Sequence, residues 1–365
     1  MTSPTLKAAE VEFIGVSKRY GFGPIAIDKL DLTVRPGEFL TLLGPSGSGK
    51  TTALNLLAGF QMPTSGQILI DGADISALPA YKRNIGVVFQ HYALFPHMTV
   101  RENVGYPLKQ RRVAKDELRR RVDEALRMVA IEAFADRLPR QLSGGQQQRV
   151  AVARAFVFQP RLLLMDEPLG ALDRKLRESV QLELKRIHRE LGVTVVFVTH
   201  DQEEALVMSD RVAVFDAGKI QQVGTASELY DAPLTKFVAQ FLGESNCWVG
   251  DVTHQSSDRS TVSGPGWTVK GTRIEQTPSS GRAAVVVRPE RCSLVARGDA
   301  PAGWNEIPGL IRDIVYLGSL RKVVIDLEAG GTAVVSSRPE TEFPLNRAVS
   351  VAFPISSART LPAAE

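Results

Sequence analysis

The chain has 365 residues, 44% of them hydrophobic and 23% charged, with a net charge of +4. This is the make-up of an ordinary globular protein with ample core, and the length points to two domains. The weak basic balance does not by itself imply a nucleic-acid partner, and no run of about 18 apolar residues is present to span a membrane.

From the N-terminus, residues 1–12 carry no apolar leader, so no signal peptide is expected. Residues 11–16 and 30–34 read as short strands, with Pro36-Gly37 as a turn after the second. Between the strands, Tyr20 stands in a polar, glycine-flanked loop, where its ring can stack on a base. Residues 39–43 form an apolar run of strand length. It leads into Gly44-Pro45-Ser46-Gly47-Ser48-Gly49-Lys50-Thr51, which fits the phosphate-loop pattern G-x-x-x-x-G-K-[ST]. A helix over 51–58, stopped by Gly59, follows it. Strand, glycine loop and helix N-terminus together make an anion site, because inward-turned N–H groups and the helix dipole both favour negative charge. Lys50 is then expected to bridge the β- and γ-phosphates, and the Thr51 hydroxyl to hold Mg²⁺. Residues 67–70 with Asp71-Gly72 read as a strand and tight turn.

Three further strands share one design. Residues 85–89 end in Gln90, residues 162–165 in Asp166-Glu167, and residues 193–199 in His200. Each is a continuous apolar or β-rich run, as expected of parallel strands covered on both faces. Each delivers a polar group at its C-terminal end, the edge where open α/β sheets bind ligands. One site should therefore collect Lys50, Thr51, Gln90, Asp166, Glu167 and His200. Asp166 suits Mg²⁺, and Glu167 suits orienting or deprotonating a water. Gln90 can offer its amide oxygen to metal or water, and His200 can donate to a γ-phosphate oxygen.

Between Gln90 and Arg161 the pattern turns helical. Leu118, Val122, Leu126 and Val129 form one apolar face of a helix over 115–130, with Arg119, Arg120 and Arg121 on a solvated side. This helical insert, about residues 91–158, ends in Leu142-Ser143-Gly144-Gly145-Gln146. Ser143 followed three residues later by Gln146 has the form of a capping box and predicts a helix over 146–158. The two glycines expose N–H groups, making a second anion site in one chain.

With these motifs in order, the sequence resembles an ATP-binding cassette subunit of a membrane transporter over about residues 10–242. The resemblance implies that Gly44, Pro45, Ser46, Gly47, Ser48, Gly49, Lys50, Thr51 and Thr52 bind the ATP phosphates and that Tyr20 stacks on adenine. It makes Gln90 the Q-loop and assigns Thr51, Gln90 and Asp166 to Mg²⁺. Glu167 is then the catalytic base and His200 the switch histidine. Gly170-Ala171-Leu172-Asp173 corresponds to the D-loop, with glycine where serine is more usual. Ser143, Gly144, Gly145 and Gln146 are the signature that clamps ATP held by a second cassette, which implies a homodimer.

After Gly243 the composition shifts toward Ser, Thr, Gly and Pro, and short strands are expected at 248–253, 267–270, 283–288, 309–316, 323–327, 333–336 and 349–353. Their spacing predicts a small all-β, oligonucleotide-fold-like barrel over 245–358, with an unstructured tail over 358–365. Phe241-Leu242-Gly243-Glu244-Ser245-Asn246 and Arg288-Pro289-Glu290 resemble the regulatory TOBE extension of importer cassettes. No aromatic-basic strand face is evident, so nucleic acid is not expected as a ligand. Cys247 and Cys292 read as inert packing residues in a reducing compartment.

The expected whole is an α/β phosphate-loop NTPase cassette with a helical insert, followed by the barrel. Its resemblance implies an ATPase at the cytoplasmic face of the membrane, peripheral, energising an importer. Two integral membrane permease subunits would be partners, with an extracytoplasmic solute-binding protein engaged indirectly. The segment from Tyr92 to Met98 resembles the surface that importer cassettes offer to a permease helix. The subgroup is closest to spermidine/putrescine importers, with ferric iron, sulfate, sugar and molybdate importers as alternatives. A soluble cassette ATPase acting outside transport is the more distant reading, since such proteins carry long coiled coils or two cassettes.

Overall fold

The computed structural model describes residues 8–170, 172–340 and 344–363. Ala171, the second residue of the expected D-loop, lies outside the described residues. The chain divides into two compact units, residues 1–226 and 227–365.

The first unit runs β1 (Val11–Arg19), β2 (Ile25–Val34), β3 (Phe39–Leu43), α1 (Lys50–Ala58), β4 (Ser65–Ile70), β5 (Ala73–Asp74) and β6 (Gly86–Val88). The helical insert follows as α2 (Val100–Gln110), α3 (Lys115–Met128) and α4 (Gly144–Phe156). Then come β7 (Leu162–Asp166), α5 (Arg174–Leu191), β8 (Thr194–Thr199), α6 (Gln202–Met208), β9 (Arg211–Asp216) and β10 (Lys219–Gly224). One sheet has the order β10-β9-β3-β8-β7-β6. Its strands β9, β3, β8, β7 and β6 are parallel, and β10 is antiparallel at the edge. A second, antiparallel sheet has the order β2-β1-β4-β5.

The continuous apolar runs have a direct structural cause. Side chains alternate across a strand, so a strand buried on both faces must be apolar at every position. Leu163, Met165, Val195 and Phe197 pack on the side of the helical insert, in one core cluster. Their neighbours Leu162, Leu164, Val196 and Val198 pack on the opposite side with Leu54, Leu56 and Leu57 of α1. In α3 the expected face is inward, with Val122 and Leu126 fully buried. Arg120 on the outer side pairs with Glu117 and Glu124 one turn away.

The second unit opens with two short helices, α7 (Ala226–Asp231) and α8 (Lys236–Phe241). Its strands are β11 (Asn246–Gln255), β12 (Arg259–Gly264), β13 (Trp267–Arg273), β14 (Arg282–Val287), β15 (Ser293–Val295), β16 (Trp304–Tyr316), β17 (Arg321–Leu327), β18 (Thr332–Ser337), β19 (Ala348–Pro354) and β20 (Arg359–Pro362). Five of them close a barrel, β11-β12-β13-β20-β14, and the other five form a sheet, β15-β19-β16-β17-β18. Both contribute to one core, where Trp248 stacks on Phe353 with ring centroids 5.8 Å apart. The Asn246 side chain joins the two sheets, donating to the Val334 carbonyl at 2.8 Å and accepting from its N–H at 2.7 Å.

One expectation is corrected here. The tail over 358–363 is not unstructured: β20 pairs with β14 and β13 and completes the barrel, while residues 364–365 lie outside the described residues. Thr360 and Leu361 are fully buried. Four residues containing an arginine and a proline carry no readable period, and only the open gap between β13 and β14 makes them a strand. Both cysteines are free, and burial pushes the Cys292 thiol up to about 12, in keeping with an inert packing role.

Candidate active site

The parallel register brings the strand ends level. Leu43 lies opposite Thr199, Asp166 opposite Val198, and Val88 opposite Met165. The residue after each end then reaches the same edge. Thr51 Oγ1 donates to Asp166 Oδ1 at 3.1 Å. The Glu167 carboxylate receives Gln90 Nε2 at 3.3 Å on one oxygen and lies 3.2 Å from His200 Nδ1 on the other. Thr51 and Asp166 thus meet as a pair, and Gln90 and His200 both meet Glu167.

Lys50 is buried, 4% exposed, at the start of α1. Its ammonium donates to the carbonyls of Gly44 at 2.8 Å and Pro45 at 2.7 Å. Burial lowers its pKa, while Glu167 and Asp166 pull it back up. The Asp166 carboxyl is pushed up by burial and by Glu167, against the Thr51 hydrogen bond and the Lys50 charge. Two adjacent carboxylates thus face one ammonium, an arrangement that favours a further cation.

Two glycines of the loop are sterically required. A Cβ on Gly44 would lie 2.3 Å from the Phe215 carbonyl oxygen. Gly49 caps α1 at φ 106°, and a Cβ there would lie 2.6 Å from the Ala26 carbonyl oxygen. Between them Ser46 and Gly47 are exposed and Ser48 is buried. Thr51 is exposed and Thr52 half-buried on the first turn of α1.

The oxygens present fit Mg²⁺. Thr51 and Asp166 offer hard donors, and Gln90 keeps its amide oxygen unused by Glu167. Among the described residues no group of three or more His, Cys, Asp or Glu could hold a metal by itself. That matches an ion held by one or two carboxylates and completed by phosphates and water.

Other predicted residues stand apart from this cluster. Tyr20 is 47% exposed, and its hydroxyl donates to Gln61 Oε1 at 2.5 Å. Ser143 caps α4: its hydroxyl accepts from Gln146 N–H at 3.4 Å, and Gln146 Oε1 accepts from Ser143 N–H at 2.9 Å. Ser143 and Gly144 are exposed, leaving this helix N-terminus open to an anion, while Gly145 is buried against Leu176. In the D-loop, Asp173 caps α5 through Leu176 N–H at 3.0 Å. A Cβ at Gly170 would meet only the Glu167 carbonyl at 3.6 Å, so serine would also fit.

Sequence reasoning missed two features. Arg154, near the end of α4, donates to the carbonyls of Tyr92 and Ala93, both at 2.8 Å, and so anchors the loop after Gln90. An arginine within an otherwise apolar helix stretch was the available signal. Beside it lies a groove of about 380 Å³, lined by Phe89, Phe95, Tyr106, Phe158 and Arg154. Tyr92, expected at a partner surface, is instead 6% exposed and belongs to the core.

Residues 27–170 match the family model described as ABC transporter, and residues 285–361 match that of the TOBE domain. The chain is 48% identical over 326 residues to the spermidine/putrescine import ATP-binding protein PotA of Mesorhizobium japonicum, covering 88% of this chain and 87% of that protein. It is 49% identical over 308 residues to the protein of the same name from Thermobifida fusca, covering 83% and 80%. A solved structure described as a dimeric post-hydrolysis state of an ATP-binding cassette bound to ADP and Pi is 37% identical, with a TM-score of 0.53, covering 59% of this chain and 98% of that one. With relatives 48–49% identical over more than four fifths of the chain, the chain belongs to the ATP-binding cassette transporter family, as one of its ATP-binding subunits.

Proposed function

We propose that this protein hydrolyses ATP to energise a polyamine importer, taking up spermidine or putrescine. The observation that carries the reading is the convergence of Gln90 and His200 on Glu167, beside the Thr51–Asp166 pair. Lys50 and the loop N–H groups hold the β- and γ-phosphates, and Tyr20 stacks on adenine. When bound, Mg²⁺ neutralises charge building on the transferred phosphoryl group. Thr51, Asp166 and Gln90 would hold it. Glu167, fixed from both sides, accepts the proton of the attacking water. His200 donates to the γ-phosphate oxygen as charge develops there.

The exposed N-terminus of α4 serves ATP on a second copy of the chain, so the working form is a homodimer. The aromatic groove beside Arg154 takes a short helix of an integral membrane permease subunit, one for each cassette. Its position next to the loop after Gln90 makes it suited to pass a change at the γ-phosphate to the permease. The protein then works as a peripheral subunit at the cytoplasmic face of the membrane, and the solute-binding protein acts through the permeases. In this reading the cassette motifs within residues 10–242 carry the nucleotide chemistry, although α7 and α8 belong to the second compact unit, and the barrel region from 245 onward is regulatory. Polyamine as cargo rests on the likeness to import proteins of that name.

The test is reconstitution with the neighbouring permease subunits and binding protein in vesicles loaded with ATP. Spermidine or putrescine should accelerate ATP hydrolysis and accumulate on the far side. Stimulation by sulfate, a sugar or ferric iron, and not by either polyamine, would reassign the cargo.

A further inference from the structure

The second unit contains a cavity of about 290 Å³ that none of the nucleotide chemistry uses. Its wall includes Tyr230 and Asp231 at the end of α7, Arg288 and Arg291 just after β14, and Ser357 and Arg359 at the start of β20. Three guanidiniums therefore share the wall with one carboxylate. That carboxylate is already matched, since Arg291 pairs with Asp231 at 3.3 Å. The neighbouring Glu290 accepts from the Tyr230 hydroxyl at 2.7 Å.

The other two arginines have no carboxylate bonded to them. Arg288 is 5% exposed, and its N–H groups go to neutral acceptors: the Ala239 carbonyl at 2.7 Å, the Tyr230 carbonyl at 3.0 Å and the Ser245 hydroxyl. Its guanidinium lies 4.0 Å from the centre of the Tyr230 ring. Arg359 donates through Nε to the Asp231 carbonyl at 3.1 Å, and among the described residues nothing accepts from its two terminal nitrogens. Burial lowers the basicity of both arginines. Asp231 attracts both guanidiniums and Glu290 attracts Arg288, yet the wall still holds three guanidiniums against one carboxylate, and an anion inside the cavity relieves that excess.

We propose that this cavity binds a small phosphate-bearing anion, held by the terminal nitrogens of Arg359 and the Ser357 hydroxyl, with Arg288 supplying charge from the wall while its own N–H groups stay on protein acceptors. The guanidinium fork matches phosphate oxygens in pairs, and the hydroxyl adds a neutral donor. Three guanidiniums against one carboxylate leave the wall with two positive charges in excess, which a dianion balances and a single carboxylate does not. The volume lies at the small end of ligand sites, which suits inorganic phosphate or a compact phosphomonoester. Arg288-Pro289-Glu290 thereby gains a role outside the cassette's chemistry.

The experiment is calorimetric titration of the full-length protein with inorganic phosphate and, separately, methyl phosphate, at constant ionic strength. A non-hydrolysable ATP analogue at saturation keeps the Lys50 site filled. One saturable site per chain is expected for at least one probe, and the tighter probe tells free phosphate from a phosphomonoester. Arg359→Gln should weaken it at least about tenfold, through loss of charge-assisted hydrogen bonds, with Arg359→Lys intermediate. Ser357→Ala should weaken it less, and it carries the test if Arg359→Gln does not fold. No saturable binding of either probe at tens of millimolar, or unchanged affinity in both variants, would overturn the proposal.

Discussion

Glu167 adopts a left-handed backbone conformation, φ 42°, which is uncommon for a side-chain-bearing residue. Its N–H donates to the Val198 carbonyl at 3.0 Å, and its own carbonyl accepts from Gly170 N–H at 3.2 Å. The backbone is thus pinned while the carboxylate is fixed by Gln90 and His200. Glu167→Gln keeps the shape and the hydrogen bonds but cannot take a proton. ATP binding should persist, and turnover should fall by about 10² to 10⁴, the usual worth of a general base. Filter binding and phosphate release measure the two; near-normal turnover would remove Glu167 from the role of base. Asp166 makes a complementary case. Burial disfavours its charged form, and the adjacent Glu167 adds repulsion, against the Thr51 hydrogen bond and the Lys50 charge. Asp166→Asn should raise the thermal stability of the nucleotide-free protein by up to about 1 kcal/mol, a discounted figure for a partly exposed group. The same change should abolish Mg²⁺-dependent stabilisation by ATP. A lower melting temperature without nucleotide would contradict this penalty on the charged form.

At the scale of elements, α4 ties the two proposed contacts together, because Ser143 caps its N-terminus and its C-terminal half carries Arg154. Ser143→Arg removes the cap, which costs about 1 kcal/mol, too little to unfold the unit. Monomeric ATP binding should survive while the ATP-dependent dimer fails to form in the Glu167→Gln background, as read by gel filtration. A loss of monomer ATP affinity as severe as in Lys50→Ala would mean that the signature does not act across a dimer. The groove beside Arg154 depends on aromatic faces: Phe95 packs on Tyr106 with centroids 4.6 Å apart, and Arg111 lies 3.8 Å from the Phe158 ring centre. Phe95→Ser with Phe158→Ser should leave basal ATPase within about twofold and cut vesicle transport more than about tenfold, as for anchor residues of an interface. Unchanged transport would move the permease contact elsewhere. The element boundaries were legible where turn chemistry marked them, as at Gly59 and Asp71-Gly72. Helix α5 escaped the sequence reading, although Asp173 caps it and Gly192 ends it. Its buried positions Val180, Leu184 and Ile187 are few among charged residues.

For the whole molecule, the division at residues 226/227 matters more than the composition break at Gly243. Leu229, Val238, Ala239 and Leu242 are fully buried. Ala239 packs with Ile274, Val286 and Leu361, all from the second unit. A chain ended after Ala226 should therefore fold, bind ATP and stay soluble. One ended at Gly243 should aggregate more, because α7 and α8 would lose their packing partners. Light scattering and ATP affinity of the two shortened chains decide it. Equal solubility would show that α7 and α8 do not need the β-rich unit.

What the sequence determined by itself was local. The phosphate loop follows from a strand, glycines and a helix start within a short stretch, and the α4 cap from residues three apart. Continuous apolar runs announced buried parallel strands because every position of such a strand faces a core. Side-chain partnerships were decided by tertiary structure. Thr51 and Asp166 are 115 residues apart, and Gln90 and Glu167 are 77. Their meeting depends on the register of a sheet, which no local pattern encodes. The same holds for Asn246 reaching Val334, for Tyr92 turning into the core and for Arg288 resting on the carbonyls of α7 and α8. It holds most clearly for β20, whose four residues become a strand only because β13 and β14 present unpaired edges on either side of them.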